Sequence, residues 1–282
     1  MAAAKGDGAV GELELQAAIG FNGHVPCGLI CHPDREHILY PLGCTVVIQH
    51  LDTKKQSFLH GHADNVSRVV VSRDGMYVAS GQVTCIGFKG VTALLLPKTG
   101  GLIVGTGEGT VALCTGSDFQ VKKRMRVEGA VTSLTCRGRD DQFFIGTNKG
   151  QMYHSAYATF KEELVAVCHT EAVNDIVFPE GHSDLFVTCS TNDIRVWYTP
   201  ERLERLRITV PNVTCHAVEV TRDGMVIVSA WNDGKIRAFV PATGEPMYEI
   251  NNAHNLGVTA IAATSDCKQI ISGGGDGQVI CA

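Results

Sequence analysis

The sequence predicts an all-β chain folded as a ring of propeller blades, and three observations carry that reading. A unit of about 40 residues recurs along the 282-residue chain. Aligned on the first apolar residue of each inner strand, the units begin at Pro26, Val66, Val91, Val131, Val173, Cys215 and Val258, in steps of 40, 25, 40, 42, 42 and 43 residues. Each unit has the same grammar: a short apolar strand, a polar turn such as Arg73-Asp74-Gly75, a second strand, a Gly/Asp/Asn turn and a third strand. The third observation is the one short step, Val66 to Val91, which marks an incomplete blade near residues 80–91 in a ring of about six. The units fall at 23–60, 61–90, 91–127, 128–167, 168–209, 210–250 and 251–282, inside a propeller spanning 19–282. Residues 1–18 form an N-terminal segment in which "LELQAAIGF" is expected to supply a ring-closing outer strand for the last unit.

Composition narrows the function classes. A net charge of −5 argues against nucleic acid, because neutralising phosphates takes a clustered basic surface. Two basic runs stand out locally, Lys122, Lys123, Arg124 and Arg126, and Arg202, Arg205 and Arg207; both are expected on solvated outer strands or loops. Eleven cysteines lie scattered through apolar strands with no C-x-x-C pair, which fits buried reduced thiols of a cytosolic protein rather than a disulfide framework. His24, Cys27, Cys31 and His32 are the only group with passing metal-ligand spacing, and lacking a second half they read as packing residues, so no metal or cofactor is expected. The start "MAAAKGDGAVGELELQ" has no secretory pattern, and no apolar run approaches the length of a bilayer span, so no membrane partner is expected.

The residues that lock the blades are clearest in "CHTEAVNDIVFPEGHSDLFVTCSTNDIRVWYT", where residues 173–178, 185–190 and 194–199 read as three strands. This unit resembles the WD-repeat pattern, in which a His, a Ser or Thr, an Asp and a Trp form a hydrogen-bonded chain across three strands. The matching residues are His169, Thr188, Asn192 and Trp197, with Asn in the Asp place. A buried indole N–H and hydroxyl must find partners, so a linked chain of this kind pins the strands together. The next unit keeps Ser229 and Asp233 but has Phe239 at the Trp position and Pro211 where the His belongs; the last has His254, Ser272 and Asp276 in register. Gly23-His24 and Gly61-His62 open units one and two, which makes His62 the lock histidine of the second, while units three and four lack the His. The fold expected is thus a WD40-repeat β-propeller.

Enzymatic readings fail in this register. His254, Ser272 and Asp276 have the residue types of a hydrolase triad, yet the same types recur at blade spacing as locks. The glycine-rich stretches 105–109 and 273–277 are followed by strands, so the aligned N–H groups of a helix start are missing and hairpin turns are expected. Glu162, Glu163, Asp140 and Asp141 are expected in loops, where a solvated carboxylate makes a poor general acid. No convergent polar set suggests a small-molecule substrate.

Ten residues between Ser80 and Val91 cannot hold two strands and two turns, so unit two lacks roughly a strand with its connection, or that plus whole repeats. The junction is expected at Lys89 and Gly90, leaving an exposed edge and weak solubility. The strings "IGFNGHVPCGLICHPD", "YPLGCTVVIQ", "SRDGMYVASGQVT", "RITVPNVTCH", "SAWNDGKIRAF" and "INNAHNLGVTAIAATSDCKQIISGGG" together resemble one ciliary WD-repeat family, that of cilia- and flagella-associated protein 52, across residues 13–280. Members are roughly twice this length and form two propellers end to end. Against that pattern the chain lacks repeats after Lys89 and everything beyond about Val279, as an alternatively spliced or mispredicted product would. The resemblance implies a non-enzymatic scaffold inside axonemal doublet microtubules, partnered by tubulin and other microtubule inner proteins, with a cytosolic WD adaptor as the alternative. Residues 119–126 and 199–207, expected as basic loops, are the candidate contacts.

Overall fold

The computed structural model describes residues 17–83, 90–98, 100–116, 119–137, 141–179, 184–264 and 266–281. Strands, turns and extended segments account for all of these, and none is helical. Unit one is a four-stranded antiparallel sheet of β1 (Ile30–Cys31), β2 (His37–Leu42), β3 (Thr45–His50) and β4 (Gln56–Leu59). Among its described residues unit two holds β5 (Val66–Val71) and β6 (Val78–Gln82) alone. Unit three is β7 (Val91–Leu95), β8 (Leu102–Thr106), β9 (Thr110–Thr115) and β10 (Gln120–Arg126); unit four is β11 (Val131–Arg137), β12 (Gln142–Thr147), β13 (Gln151–Ala156) and β14 (Glu163–Val167).

A single seven-stranded sheet follows, of β15 (Asp175–Val177), β16 (Leu185–Cys189), β17 (Thr191–Tyr198), β18 (Leu203–Val220), β19 (Ile227–Trp231), β20 (Ile236–Phe239) and β21 (Pro246–Ile250). Its 18-residue β18 runs without a break from the outer strand of unit five into the inner strand of unit six. Unit seven is three-stranded: β22 (Val258–Ala263), β23 (Ile270–Gly274) and β24 (Val279–Cys281). Four sheets thus carry four strands or more, beside one of three and one of two, and the expectation of about six blades does not stand as made. The proposed ring-closing strand finds no support in its described part, since residues 17–21 form no strand; residues 13–16 and the Lys89 junction lie outside the described residues.

The strand pattern follows from sandwiching. Middle strands such as β8, β12 and β19 have neighbouring sheets on both faces, so they read as near-continuous apolar runs, whereas outermost β10 and β21 are largely exposed. Seven apolar clusters each join successive units. Leu39 and Val46 of unit one meet Val66 and Val69 of unit two, and Val70 of unit two meets Val104 of unit three. Ile103 packs with Phe143, Phe144 with Phe186 and Trp197, Ile194 with Ile227, and Ala230 with Val258. The seventh returns from Ala260 and Ile271 to Phe21, Leu29 and Ile38. At this seam a side chain on Gly273 would sit 2.5 Å from the Phe21 ring, which explains a glycine there.

Inner strands contact one another in the same order, from β1 through β5, β7, β11, β15, β18 and β22 and back to β1. The repeat anchors mark a shared device at their starts. Pairing with the second strand slips between Val66 and Arg68, Val91 and Ala93, Val131 and Ser133, Cys215 and Ala217, and Val258 and Ala260. Each slip is a β-bulge that re-aims the residue after the anchor.

Candidate functional site

The hydrogen-bonded chains decide whether the polar clusters are catalytic or structural. In unit five His169 Nε2 lies 2.8 Å from Thr188 Oγ1 and His169 Nδ1 2.7 Å from Asp193 Oδ1, while Trp197 Nε1 donates to Thr188 Oγ1 at 2.9 Å. The acid of this chain is Asp193, which corrects the assignment to Asn192. The hairpin between β16 and β17 has a two-residue loop, closed by the Ser190 N–H donating to the Asp193 carbonyl. Such a loop demands a positive φ, which Asn192 supplies at 70°; its Oδ1 is spent accepting the Asn212 N–H. The acid therefore falls one residue later. Burial raises the Asp193 carboxyl, but the His169 hydrogen bond and the charges of His169 and Arg195 outweigh it and hold it low.

Unit seven repeats the arrangement, with His254 Nε2 3.0 Å from Ser272 Oγ and Nδ1 2.9 Å from Asp276 Oδ1, and the Asn255 N–H donating to Asp276. These are the contacts of a Ser-His-Asp triad. Ser272 is 1% exposed, however, and the same chain recurs in unit five with a threonine, so no substrate reaches this hydroxyl. Burial raises Asp276, and the Asn255 N–H and the His254 bond more than offset it, leaving its carboxyl below the usual range.

Unit two keeps half of the chain. His62 Nε2 lies 2.7 Å from Ser80 Oγ and Nδ1 3.0 Å from Gln82 Oε1, so a neutral amide stands in for the acid. Unit six has no lock histidine. Its Ser229 Oγ donates to the Arg237 carbonyl and accepts from Trp231 Nε1, both at 2.8 Å, while Asp233 binds the Arg237 guanidinium at 2.6 Å. The Arg237 guanidinium also sits 5.2 Å over the Trp231 ring. Trp231, the largest fully buried side chain, was not singled out by sequence because it lies at the end of the second strand rather than in the third. In units three and four, Thr106 and Thr147 turn inward to the carbonyls of Thr110 and Gln151.

A cavity of about 330 Å³ occupies the centre, lined by residues of all seven inner strands. The residues after the anchors stitch strand to strand around it: Ser67 Oγ donates to the Val91 carbonyl at 2.6 Å, Thr132 Oγ1 to that of Val173 and Asn174 Nδ2 to that of Cys215 at 2.7 Å, and the Cys27 N–H closes onto Thr259. Arg68 and Asp175 occupy the equivalent next position in units two and five. Arg68 donates to the carbonyls of Pro26, Thr92 and Thr132, tying unit two to units one, three and four. The Asp175 carboxylate accepts the N–H groups of Ile176 and Val218, and burial still pushes it up to about 6 against those bonds and the Arg68 charge. Burial likewise pushes the Cys27 thiol up to about 12, so it is a packed thiol and no nucleophile. Ten described cysteines form no disulfide, five of them buried, and no His/Cys/Asp/Glu group among the described residues is placed to hold a metal ion.

Of the outer strands or loops expected for the basic segments, the first is a strand, β10, and the second a turn at 199–202 running into the first half of β18, so neither is wholly a loop. Arg202 forms a bidentate pair with Glu163, which itself opens β14 instead of lying in a loop; Arg207 pairs with Glu204 at 2.8 Å, and Arg205 lies 4.7 Å over Tyr198. On β10, Lys122, Arg124 and Arg126 are exposed, and Lys123 Nζ turns back to the Ala158 carbonyl.

Comparison with known proteins agrees with this architecture. The family described as WD domain, G-beta repeat matches residues 53–85 and 244–281. Cilia- and flagella-associated protein 52 of Mus musculus is 37% identical to 96% of this chain, which covers 70% of that relative; the Homo sapiens protein is 36% identical over the same shares. The Chlamydomonas reinhardtii protein of that name is 28% identical over 89% of the chain and 67% of its own length. The two mammalian alignments run over 431 residues, well beyond the 282 of this chain, so those relatives carry residues inside the matched span that this chain lacks. An all-β WD-repeat ring and a match of this extent lead to one conclusion: the chain belongs to the cilia- and flagella-associated protein 52 family.

Proposed function

We propose that the chain is a structural scaffold of motile ciliary and flagellar axonemes, a microtubule inner protein that binds and stabilises doublet microtubules, with tubulin and neighbouring inner proteins as partners. The observation that carries this is 37% identity, over 96% of the chain, to a protein named for cilia and flagella. A ring whose polar clusters are buried and spent on one another suits a rigid spacer, not a catalyst. The locks His62, His169, Thr188, Trp197, Ser229, Asp233, His254, Ser272 and Asp276, with Asp193 for Asn192, hold the strands of units two, five, six and seven in register. Lys122, Lys123, Arg124, Arg126, Arg202 and Arg205 are the proposed partner contacts, Lys122 and Arg126 foremost because they are exposed while the Arg202 charge is already paired.

The ring is read as seven units, the second and seventh incomplete, and the short step from Val66 to Val91 as the place where the additional residues of the relatives would enter. The test is to express the tagged chain in multiciliated cells. The scaffold reading expects an axonemal signal that survives detergent extraction. Diffuse cytosolic signal without axonemal enrichment, as an adaptor would give, would sink it.

A further inference from the structure

The two basic strands differ in a way that points to a binding mode. In the turn before β18 the charge of Arg202 is met by Glu163; on the strand itself that of Arg207 is met by Glu204, and Arg205 lies on Tyr198. On β10 neither Lys122 nor Arg126 meets a carboxylate among the described residues, and Lys122, Arg124 and Arg126 are exposed at alternate positions. Pairing with β9 slips between Val121 and Lys123, so Lys122 sits at a bulge, while Arg124 and Arg126 lie about 7 Å apart on the regular strand beyond it. β10 is also the outermost strand of its sheet, with β9 its only strand partner among the described residues.

The strand is already fixed in place. Buried Met125 packs into the core shared with unit four, and Lys123 Nζ anchors to the Ala158 carbonyl of that unit. An unpaired edge is a template for another strand, while a row of cations repels neutral and basic edges and selects acidic ones. We propose that β10 is a docking edge for an acidic extended segment of a partner protein, which adds as a fifth strand with alternate Glu or Asp side chains facing Lys122, Arg124 and Arg126. This rests on the proposed role of these residues as partner contacts and specifies the chemistry and geometry of the contact.

The experiment uses the whole chain and a fluorescein-labelled (Glu-Thr)4 peptide, followed by anisotropy at low and physiological salt. Saturable binding is expected, at least 10-fold weaker for (Gln-Thr)4 and for the K122E/R124E/R126E variant, whose melting curve confirms folding. A (Glu-Thr)4 peptide N-methylated at alternate residues keeps its charge but loses strand hydrogen bonds, and is also expected to bind at least 10-fold more weakly. Equal binding of the N-methylated peptide would overturn strand addition. Equal binding of the Gln peptide, or of the triple variant, would overturn the charge selection, and no binding at all would overturn both. Axonemal incorporation is scored separately: a chain that incorporates but ignores every peptide keeps the scaffold reading and loses this one.

Discussion

Unit five and unit two share an inner strand, a lock histidine and a hydroxyl partner, but among the described residues only unit five has the outer half of a blade. In unit five the chain His169, Thr188, Trp197 crosses from the inner turn to the third strand, and Phe186 stacks on the indole at 6.0 Å. In unit two it stops at Ser80 and Gln82. Yet unit two still carries the ring on both sides, through Val66 and Val69 against unit one, Val70 against unit three, and Arg68 across the centre. The difference teaches that ring closure and blade completion are separable: inner strands make the toroid, and the indole end of the lock serves only the outer half.

Unit five is most vulnerable at Trp197. Trp197→Ala empties a buried site and takes one of two hydrogen-bond partners from the Thr188 hydroxyl, which keeps His169, so a loss of about 3–5 kcal/mol is expected by denaturant melt. Asp193→Ala should follow at about 2–3 kcal/mol, since it strips partners from both His169 and Arg195, whereas Asn192→Gly should cost far less because glycine accepts the positive φ. Equal losses at the two positions would restore Asn192 as the lock.

His62→Ala should cost only about 1 kcal/mol, its partners in unit two being a half-exposed serine and glutamine that water can satisfy.

The central pair gives a pH signature that separates the two units further. Asp175, raised to about 6 in the fold, binds its proton more tightly there than in the unfolded chain. Its charge therefore opposes folding above about pH 6, and the burden lifts as pH falls toward 4. Asp175→Asn is expected to gain about 1–3 kcal/mol at pH 7.5 and to lose that gain by pH 4.5, read from melts at the two values. Asp193 and Asp276 act in the opposite sense. Their depressed carboxyls contribute stability that is present above the ordinary aspartate range and lost as pH falls below it. The lock of unit two contributes no such acid limb, because Gln82 stands in the acid's place.

Much of this was legible in the residues. The 40-residue beat located the anchors Val66, Val91, Val131, Cys215 and Val258, each of which proves to sit at a bulge, and the His, Ser or Thr and Trp partners could be read from their spacing. Two features escaped because they depend on pairing rather than spacing. Whether Asn192 or Asp193 carries the lock turns on loop length, and a two-residue loop differs from a longer one only once the strands are registered. Continuity of β18 through Pro211 and Asn212 escaped for a related reason, since a proline and a positive φ normally end a strand. The cross-ring reach of Arg68 has no local signal at all: its three acceptors lie 24 to 64 residues away.

Hydrogen exchange on the intact chain tests the central claim, that the ring is closed without complete blades. Amides of Val69 to Val71 in unit two are expected to exchange within about tenfold of those of Ile176 and Val177 in unit five, as members of one cooperative ring. Complete exchange of residues 66–82 within seconds, while units three to six stay protected, would show a ring open at unit two and contradict the account.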